Sequence, residues 1–151
     1  MTLHDKVDIE IISATWRDLP GLIRLEKACF PVDAWPLIDL IGVLTFPNVV
    51  RLKAIVGDQI VGFVAGDIRK SKGLAWIATL GVDPTFQRQG IGSRLLKACE
   101  IQLGTLQIRL SVRVGNIPAV RLYENFGYHR IDTWRNYYQD GSDAAIFEKL
   151  I

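Results

Sequence analysis

The run Gln87-Arg88-Gln89-Gly90-Ile91-Gly92 sets two glycines one residue apart beside an arginine, between a β-like segment and an amphipathic one. Glycines there let the backbone come close to a ligand. The unpaired amides at a helix start, with the helix dipole behind them, favour an anion. A pyrophosphate is the natural guest, and Arg88 would add a charge-assisted bond. The dinucleotide fingerprint is excluded because Leu95 stands where a third glycine belongs, and a P-loop because no Gly-Lys-Ser/Thr follows. Other candidates for chemistry are weaker. His129 follows a helix-stopping glycine and opens a strand, which suits a surface histidine. Asp83 fits a turn role, and His4 falls in a polar terminus. Cys29 and Cys99 lie far apart in apolar helical patterns and read as buried thiols, with no spacing that suits a metal.

The elements that must carry this segment follow from periodicity. Val7 to Ser13 alternates as a strand. Thr15-Trp16-Arg17-Asp18 resembles a capping box ahead of a helix reaching Cys29, and Leu37 to Thr45 forms a second, short helix that Pro47 and Asn48 end. Arg51 to Val56 and Ile60 to Ile68 are strands joined at Gly57-Asp58-Gln59, and Leu74 to Val82 is the next strand. A polar loop, Asp83 to Gln89, opens into a helix from about Gly90 to Leu103, stopped by Gly104. Gln107 to Val112 is a strand. Asn116 caps a helix with Pro118 in its first turn, ending at Gly127. Tyr128 to Tyr138 and Ala144 to Ile151 alternate as strands around a turn at Gln139 to Ser142. The order β-α-α-β-β-β-α-β-α-β-β predicts an α/β fold with a mixed sheet.

Composition bounds the rest. The 151 residues suit one domain, 1–151, with a core of useful size. Hydrophobic residues make up 49% and charged residues 23%, and the net charge of +2 is scattered, which argues against nucleic acid as the main partner. No apolar run approaches the ~20 residues that span a bilayer, and the polar start lacks a secretory signal, so a cytoplasmic protein without a membrane role is expected.

Read together, Leu80-Gly81-Val82-Asp83-Pro84 and Gln87 to Gly92 resemble the acetyl-coenzyme A signature of the GNAT superfamily of N-acetyltransferases. Asn116, Ala119, Leu122, Tyr123 and Phe126-Gly127-Tyr128 are similar to that family's following helix. Arg135-Asn136-Tyr137-Tyr138 with Asp140-Gly141 and Asp143-Ala144 resembles the branch that acetylates protein N-termini, of the ribosomal-protein alanine acetyltransferase (RimI) type. The strongest part runs from about Leu74 to Ile151.

The resemblance implies a GNAT fold of about seven strands and about four helices, splayed between the fourth and fifth strands. It implies acetyl-coenzyme A as cosubstrate and no metal. Free main-chain groups of Leu80 and Val82 would pair with the pantetheine arm as an added strand does. Arg88, Gln89, Gly90, Ile91, Gly92 and Ser93 would hold the pyrophosphate, and Asn116 would bond the arm. Tyr123 would protonate the leaving thiolate, a role open to a tyrosine because its ordinary pKa of about 10 keeps it protonated. Tyr137 and Tyr138 would line the acceptor groove, with successive strand residues facing opposite ways so that one contacts the peptide directly. Phe30-Pro31 and Trp35 would form the other wall.

The same family places a glutamate or histidine twelve residues before the tyrosine. Here that position is Ser111, which is no general base at its normal pKa. The lack matters little for an α-amine with a pKa of about 7.7–8.0, neutral in roughly a fifth to a third of molecules near pH 7.4. A lysine near 10.4 is neutral in about one molecule in a thousand, a penalty of about 4 kcal/mol. The expected acceptor is therefore a protein N-terminus. A small amine (polyamine, amino acid, aminoglycoside) and a binding module without turnover are the alternatives.

Overall fold

The computed structural model describes residues 8–31 and 36–151. Trp35, Val7 and His4 lie outside the described residues. Four helices and seven strands follow the expected order: β1 Glu10–Ser13, α1 Leu19–Cys29, α2 Leu37–Thr45, β2 Val49–Val56, β3 Gln59–Arg69, β4 Leu74–Val82, α3 Ile91–Leu103, β5 Gln107–Arg113, α4 Ile117–Asn125, β6 His129–Trp134 and β7 Ala144–Leu150. They form one sheet in the order β1-β2-β3-β4-β5-β7-β6. All neighbours pair antiparallel except β4 and β5, which run parallel because α3 carries the chain across.

Local chemistry explains the boundaries. The Asp18 carboxylate accepts the Thr15 amide at 2.8 Å, and a single 3-10 turn at Trp16–Asp18 leads into α1. Arg51 reaches from β2 to donate to the Val43 carbonyl at 2.7 Å near the end of α2, where cations are favoured. Gly57 (φ 59°) turns β2 into β3. At Gly62, an added Cβ would meet Leu95 at 2.8 Å, so this glycine lets α3 lie close on β3.

Two apolar layers sandwich the sheet. On one face Leu95, Leu96, Cys99 and Leu103 of α3 pack with Val61, Val64, Ile77, Ile108 and Leu110, and Tyr123 and Tyr128 join them. On the other, Leu22, Leu25 and Leu44 cover Ile60, Phe63 and Ala65. Both cysteines are free; Cys99 is buried and Cys29 half-buried. No helix among the described residues is long and apolar enough to cross a membrane.

One expectation is corrected. The strand anticipated from Tyr128 to Tyr138 stops at Trp134. Asn136 turns left-handed at φ 53°, its amide donating to Asp143 at 3.0 Å. The Ser142 amide donates to Asp140 at 3.0 Å. Side-chain bonds from short polar residues therefore replace ladder pairing over 135–143, and Tyr137 and Tyr138 sit in a turn rather than a strand.

Candidate active site

The sheet opens where the sequence motif begins. Parallel pairing of β4 with β5 covers only Leu74 to Ile77 against Gln107 to Leu110. Beyond that, Thr79 to Val82 keep their β3 partners, Ala65 to Gly62, while Ser111 to Arg113 pair only with β7. The edge of β4 from Thr79 to Val82 is thus left without a β5 partner. The break has a local cause. Ala65 faces Thr79 and the next residue, Gly66, faces Ile77, so Ala78 is an extra residue in β4. Such a bulge kinks the strand and sharpens its twist, turning β4 away from β5.

At the end of this edge the chain is set for α3. The Asp83 amide donates to Val61 at 2.8 Å, and its carboxylate accepts the Thr85 amide at 2.9 Å. Gln87 donates to the Val82 carbonyl at 3.2 Å. Arg88 (φ 66°) and Gly90 (φ 77°) both turn left-handed, and α3 starts at Ile91. The Arg94 amide is the first bonded back, to Gly90 at 3.0 Å, which leaves the amides of Ile91, Gly92 and Ser93 pointing out of the helix end. Arg88 and Gln89 are exposed, whereas the Ile91 side chain is buried in the core and presents only its main chain. A Cβ on Gly92 would lie 3.5 Å from Leu122 and 3.7 Å from Val82, which puts this residue between β4 and α4.

From the β5 side, the Asn116 carboxamide caps α4 by accepting the Ala119 amide at 3.3 Å. About two helical turns further on, Tyr123 is 6% exposed. Burial, and secondarily the nearby Tyr138, holds its phenol above the ordinary tyrosine range. A hydroxyl so placed keeps its proton at any working pH and acts as a donor.

The other mouth of the gap is built from side chains. Glu26 of α1 is 6% exposed, and Thr79 donates to it at 3.4 Å from the stretch of β4 that lacks a β5 partner. Cys29, one turn on, lies beside Gly81: a Cβ there would meet its sulfur at 3.1 Å. Burial, then Glu26 and Asp83, push the Cys29 thiol up to about 12, which keeps it in the protonated form at neutral pH. A chain of aromatic rings runs over the same face: Trp76 to Trp134 at 5.9 Å, Trp134 to Tyr137 at 5.5 Å, Tyr137 to Tyr138 at 5.0 Å. Arg113 lies over the Tyr138 ring at 4.3 Å and pairs with Asp140 at 2.8 Å. The Ser142 amide and Arg113 hold the Asp140 carboxyl down to about 2, so the clamp on Tyr138 stays charged throughout the neutral range. In register, Ser111 sits opposite Ile146 in the row between those of Trp76 and Trp134, half-buried.

Leu80 and Val82 thus lie on the β4 edge that β5 leaves uncovered, residues 88–93 follow at its end, and Gly92 meets Leu122 of α4, the helix that Asn116 caps and that carries Tyr123. Tyr138 is near Tyr123, and Tyr137 is 51% exposed. Sequence reasoning missed Glu26, Trp76 and Trp134. Glu26 did leave a signal: with Leu22, Leu25 and Cys29 it completes the i, i+3, i+4, i+7 stripe of α1, and a carboxylate on an apolar stripe is abnormal. The two tryptophans gave none, because only the folded register brings β4 and β6 rings together. Glu124, which follows Tyr123, is exposed, and His129 stands exposed on β6.

The acetyltransferase (GNAT) family matches residues 19–128. This chain belongs to the GNAT acetyltransferase family. The GNAT chain is 32% identical to the ribosomal protein bS18-alanine N-acetyltransferase of Salmonella typhimurium, over 91% of this chain and 93% of the relative. It is also 32% identical to the N-alpha-acetyltransferase RimI of Mycobacterium tuberculosis, over 96% and 94%. Its fold is similar to the crystal structure of the ribosomal-protein-S18-alanine N-acetyltransferase from Escherichia coli, with a TM-score of 0.87, 27% identity and coverage of 95% and 94%. As a GNAT protein it is an N-acetyltransferase that uses acetyl-coenzyme A and delivers the acetyl group to an amine.

Proposed function

We propose that this enzyme acetylates the N-terminal α-amine of a polypeptide, with both substrates bound together in the gap between β4 and β5. The observation that carries the reading is the divergence of the two strands at Ala78, which leaves a backbone edge running toward the start of α3, with Tyr123 in the layer on one face of the sheet and Glu26 of α1, bonded to Thr79, on the other. The pantetheine arm of acetyl-coenzyme A pairs with Leu80 and Val82 as a short added strand. Its pyrophosphate rests on the outward amides of Ile91, Gly92 and Ser93, with Gly90 allowing close approach and Arg88 and Gln89 at the rim. Asn116 bonds the arm through the part of its carboxamide not used on the helix.

In the transfer, the neutral amine nitrogen attacks the thioester carbonyl, the C–N bond forms and the C–S bond breaks. Tyr123 gives its proton to the departing thiolate and recovers it from solvent. The nitrogen sheds one proton, which Glu26 accepts directly or through water. Glu26 supplies the carboxylate that position 111 lacks. The acceptor polypeptide enters between the α1–α2 segment, which includes Trp35, and the Tyr137–Tyr138 turn, with Trp134 along its path. A protein terminus fits better than lysine for the reason of acidity given above, and the relatives named for N-α and bS18-alanine acetylation support that choice. Residues 1–151 act as one domain, and cytoplasmic operation suits both acetyl-coenzyme A and free thiols.

The test is thiol release from acetyl-coenzyme A with peptides beginning Ala, Ser or Met, lysine-free versions of each, N-terminally blocked versions, and free polyamines. Turnover lost on blocking but kept without lysine supports the proposal. Turnover on small amines alone overturns the acceptor.

A further inference from the structure

Tyr123 does not sit in the gap on its helix alone. Helix α4 ends in a reversal in which the Gly127 amide (φ 88°) donates to Glu124 and the Tyr128 amide donates back to the Tyr123 carbonyl, each at 3.0 Å. This is a Schellman closure, whose usual companion is a side-chain contact between the same two positions. Here that contact is ring on ring: Tyr128 meets Tyr123 edge-on at 5.8 Å and 67°. Tyr128 is in turn fastened at its far end. Its hydroxyl donates to Glu100 of α3 at 2.7 Å. Lys149 of β7 donates to both oxygens of Glu100 at 3.0 and 3.2 Å, and its ammonium lies 5.7 Å from the Tyr128 ring and 5.8 Å from that of Phe126.

The arrangement is costly for mere packing. Glu100 and Lys149 side chains are only 10% and 23% exposed, and removing two charges from water consumes much of what their attraction returns. A phenylalanine at 128 would fill the core without needing either. What the charged pair adds is direction: it fixes the Tyr128 hydroxyl, hence the ring plane, hence the surface on which Tyr123 rests. We propose that Tyr128, anchored by Glu100 and Lys149, is a positioning residue that holds the Tyr123 hydroxyl at the departing sulfur; this rests on the reading of Tyr123 as the thiolate's acid. Proton donation is steep in distance, and a displacement of about 1 Å costs on the order of 10²-fold. The anchor itself is buried: Tyr128 is 1% exposed and its hydroxyl is taken by Glu100.

The experiment compares Tyr128→Phe, Glu100→Gln, Glu100→Ala and Tyr123→Phe in the full chain. Each is assayed for kcat and KM with acetyl-coenzyme A and with an aryl thioester of acetate, whose arenethiolate leaves without a proton. Tyr128→Phe should lower kcat on acetyl-coenzyme A by ~10-fold or more with KM for the donor unchanged, and the loss should largely vanish on the aryl thioester. Glu100→Gln keeps an acceptor for the Tyr128 hydroxyl and should stay near the parent, while Glu100→Ala should match Tyr128→Phe. If Tyr128→Phe fails to fold, the Glu100 pair decides alone. Parent-like kcat in Tyr128→Phe, or an equal loss on both donors, overturns the inference while Tyr123→Phe still shows the leaving-group effect. Should Tyr123→Phe lose equally on both donors, the acid reading itself falls.

Discussion

In the proposed function, the donor side and the acceptor side of the gap are made of different materials. The donor side is backbone: the stretch of β4 that β5 leaves uncovered, two left-handed residues at 88 and 90, and three amides at the start of α3. The acceptor side is side chain: Glu26 from α1, rings from β4, β6 and the 135–143 turn, and Arg113 clamped by Asp140. Backbone recognition suits an invariant ligand, since main-chain geometry barely changes with sequence. Side-chain recognition suits a partner whose identity must be chosen. Substitutions on the acceptor side should therefore act on the amine, its proton and its affinity, while those on the donor side should act on cofactor binding.

The largest expected effect tests the hinge between the two sides. Tyr123→Phe should lower kcat by ~10²–10⁴-fold while leaving acetyl-coenzyme A affinity by titration nearly unchanged. Parent-like kcat would remove the acid from the mechanism. Next comes Glu26→Gln, expected to cost ~10-fold or more in kcat/KM at pH 7 and to lose less as pH rises and the free amine supplies itself. Ser111→Ala should be close to the parent in the same assay. A reversed outcome, with Ser111→Ala impaired and Glu26→Gln normal, would move the proton path to β5.

The two sides also differ in how much of them could be read in the chain. The glycines at 90 and 92, with Arg88 and the Asn116-to-Tyr123 helix, are local patterns, and so were the helix and strand boundaries near them; β4 and α2 fall where the periodicity put them. The splay itself was expected from resemblance, but its cause, the extra residue Ala78, has no signature because alanine is ordinary in a strand. The acceptor side needed three-dimensional register. Trp76 and Trp134 are far apart in sequence and come together across two intervening strands. The turn expected at Gln139 to Ser142 starts earlier, at Arg135, because the bonds that end the strand come from Asp140 and Asp143, which lie beyond the aromatic residues that suggest a strand.

Smaller effects sharpen the same contrast. Trp134→Ala should raise KM for the peptide by about 2–13-fold, the value of an aromatic contact of about 0.5–1.5 kcal/mol, with KM for acetyl-coenzyme A unmoved. Gly90→Ala should do the opposite. A Cβ there meets nothing within 4 Å, but φ of 77° penalises any side chain. Stability should fall by about 1 kcal/mol in thermal unfolding, and KM should rise for the donor alone. Donor and peptide KM moving together in either variant would mean that the two sides are not separable.

The smallest expected effect is an absence of change, and it is the most exacting for Tyr123. With an α-amine acceptor, kcat/KM should climb through pH of about 7.7–8.0 as the nucleophile loses its proton. A tyrosine at its ordinary pKa of about 10 would then bring the profile down again, half lost at that pH. Burial holds Tyr123 above this value, so the plateau should persist to pH 10. Stability limits the window in the same sense. Tyr123 and Tyr128 both have folded-state pKa values above the ordinary one, from desolvation first and, for Tyr128, the bond to Glu100. The unfolded chain is then the first to release these protons, so the folded state keeps their full contribution below about pH 10 and loses it progressively above. A descending limb centred at about pH 10 or below, reversible on return to neutral, would show the acid to be a group less buried than Tyr123.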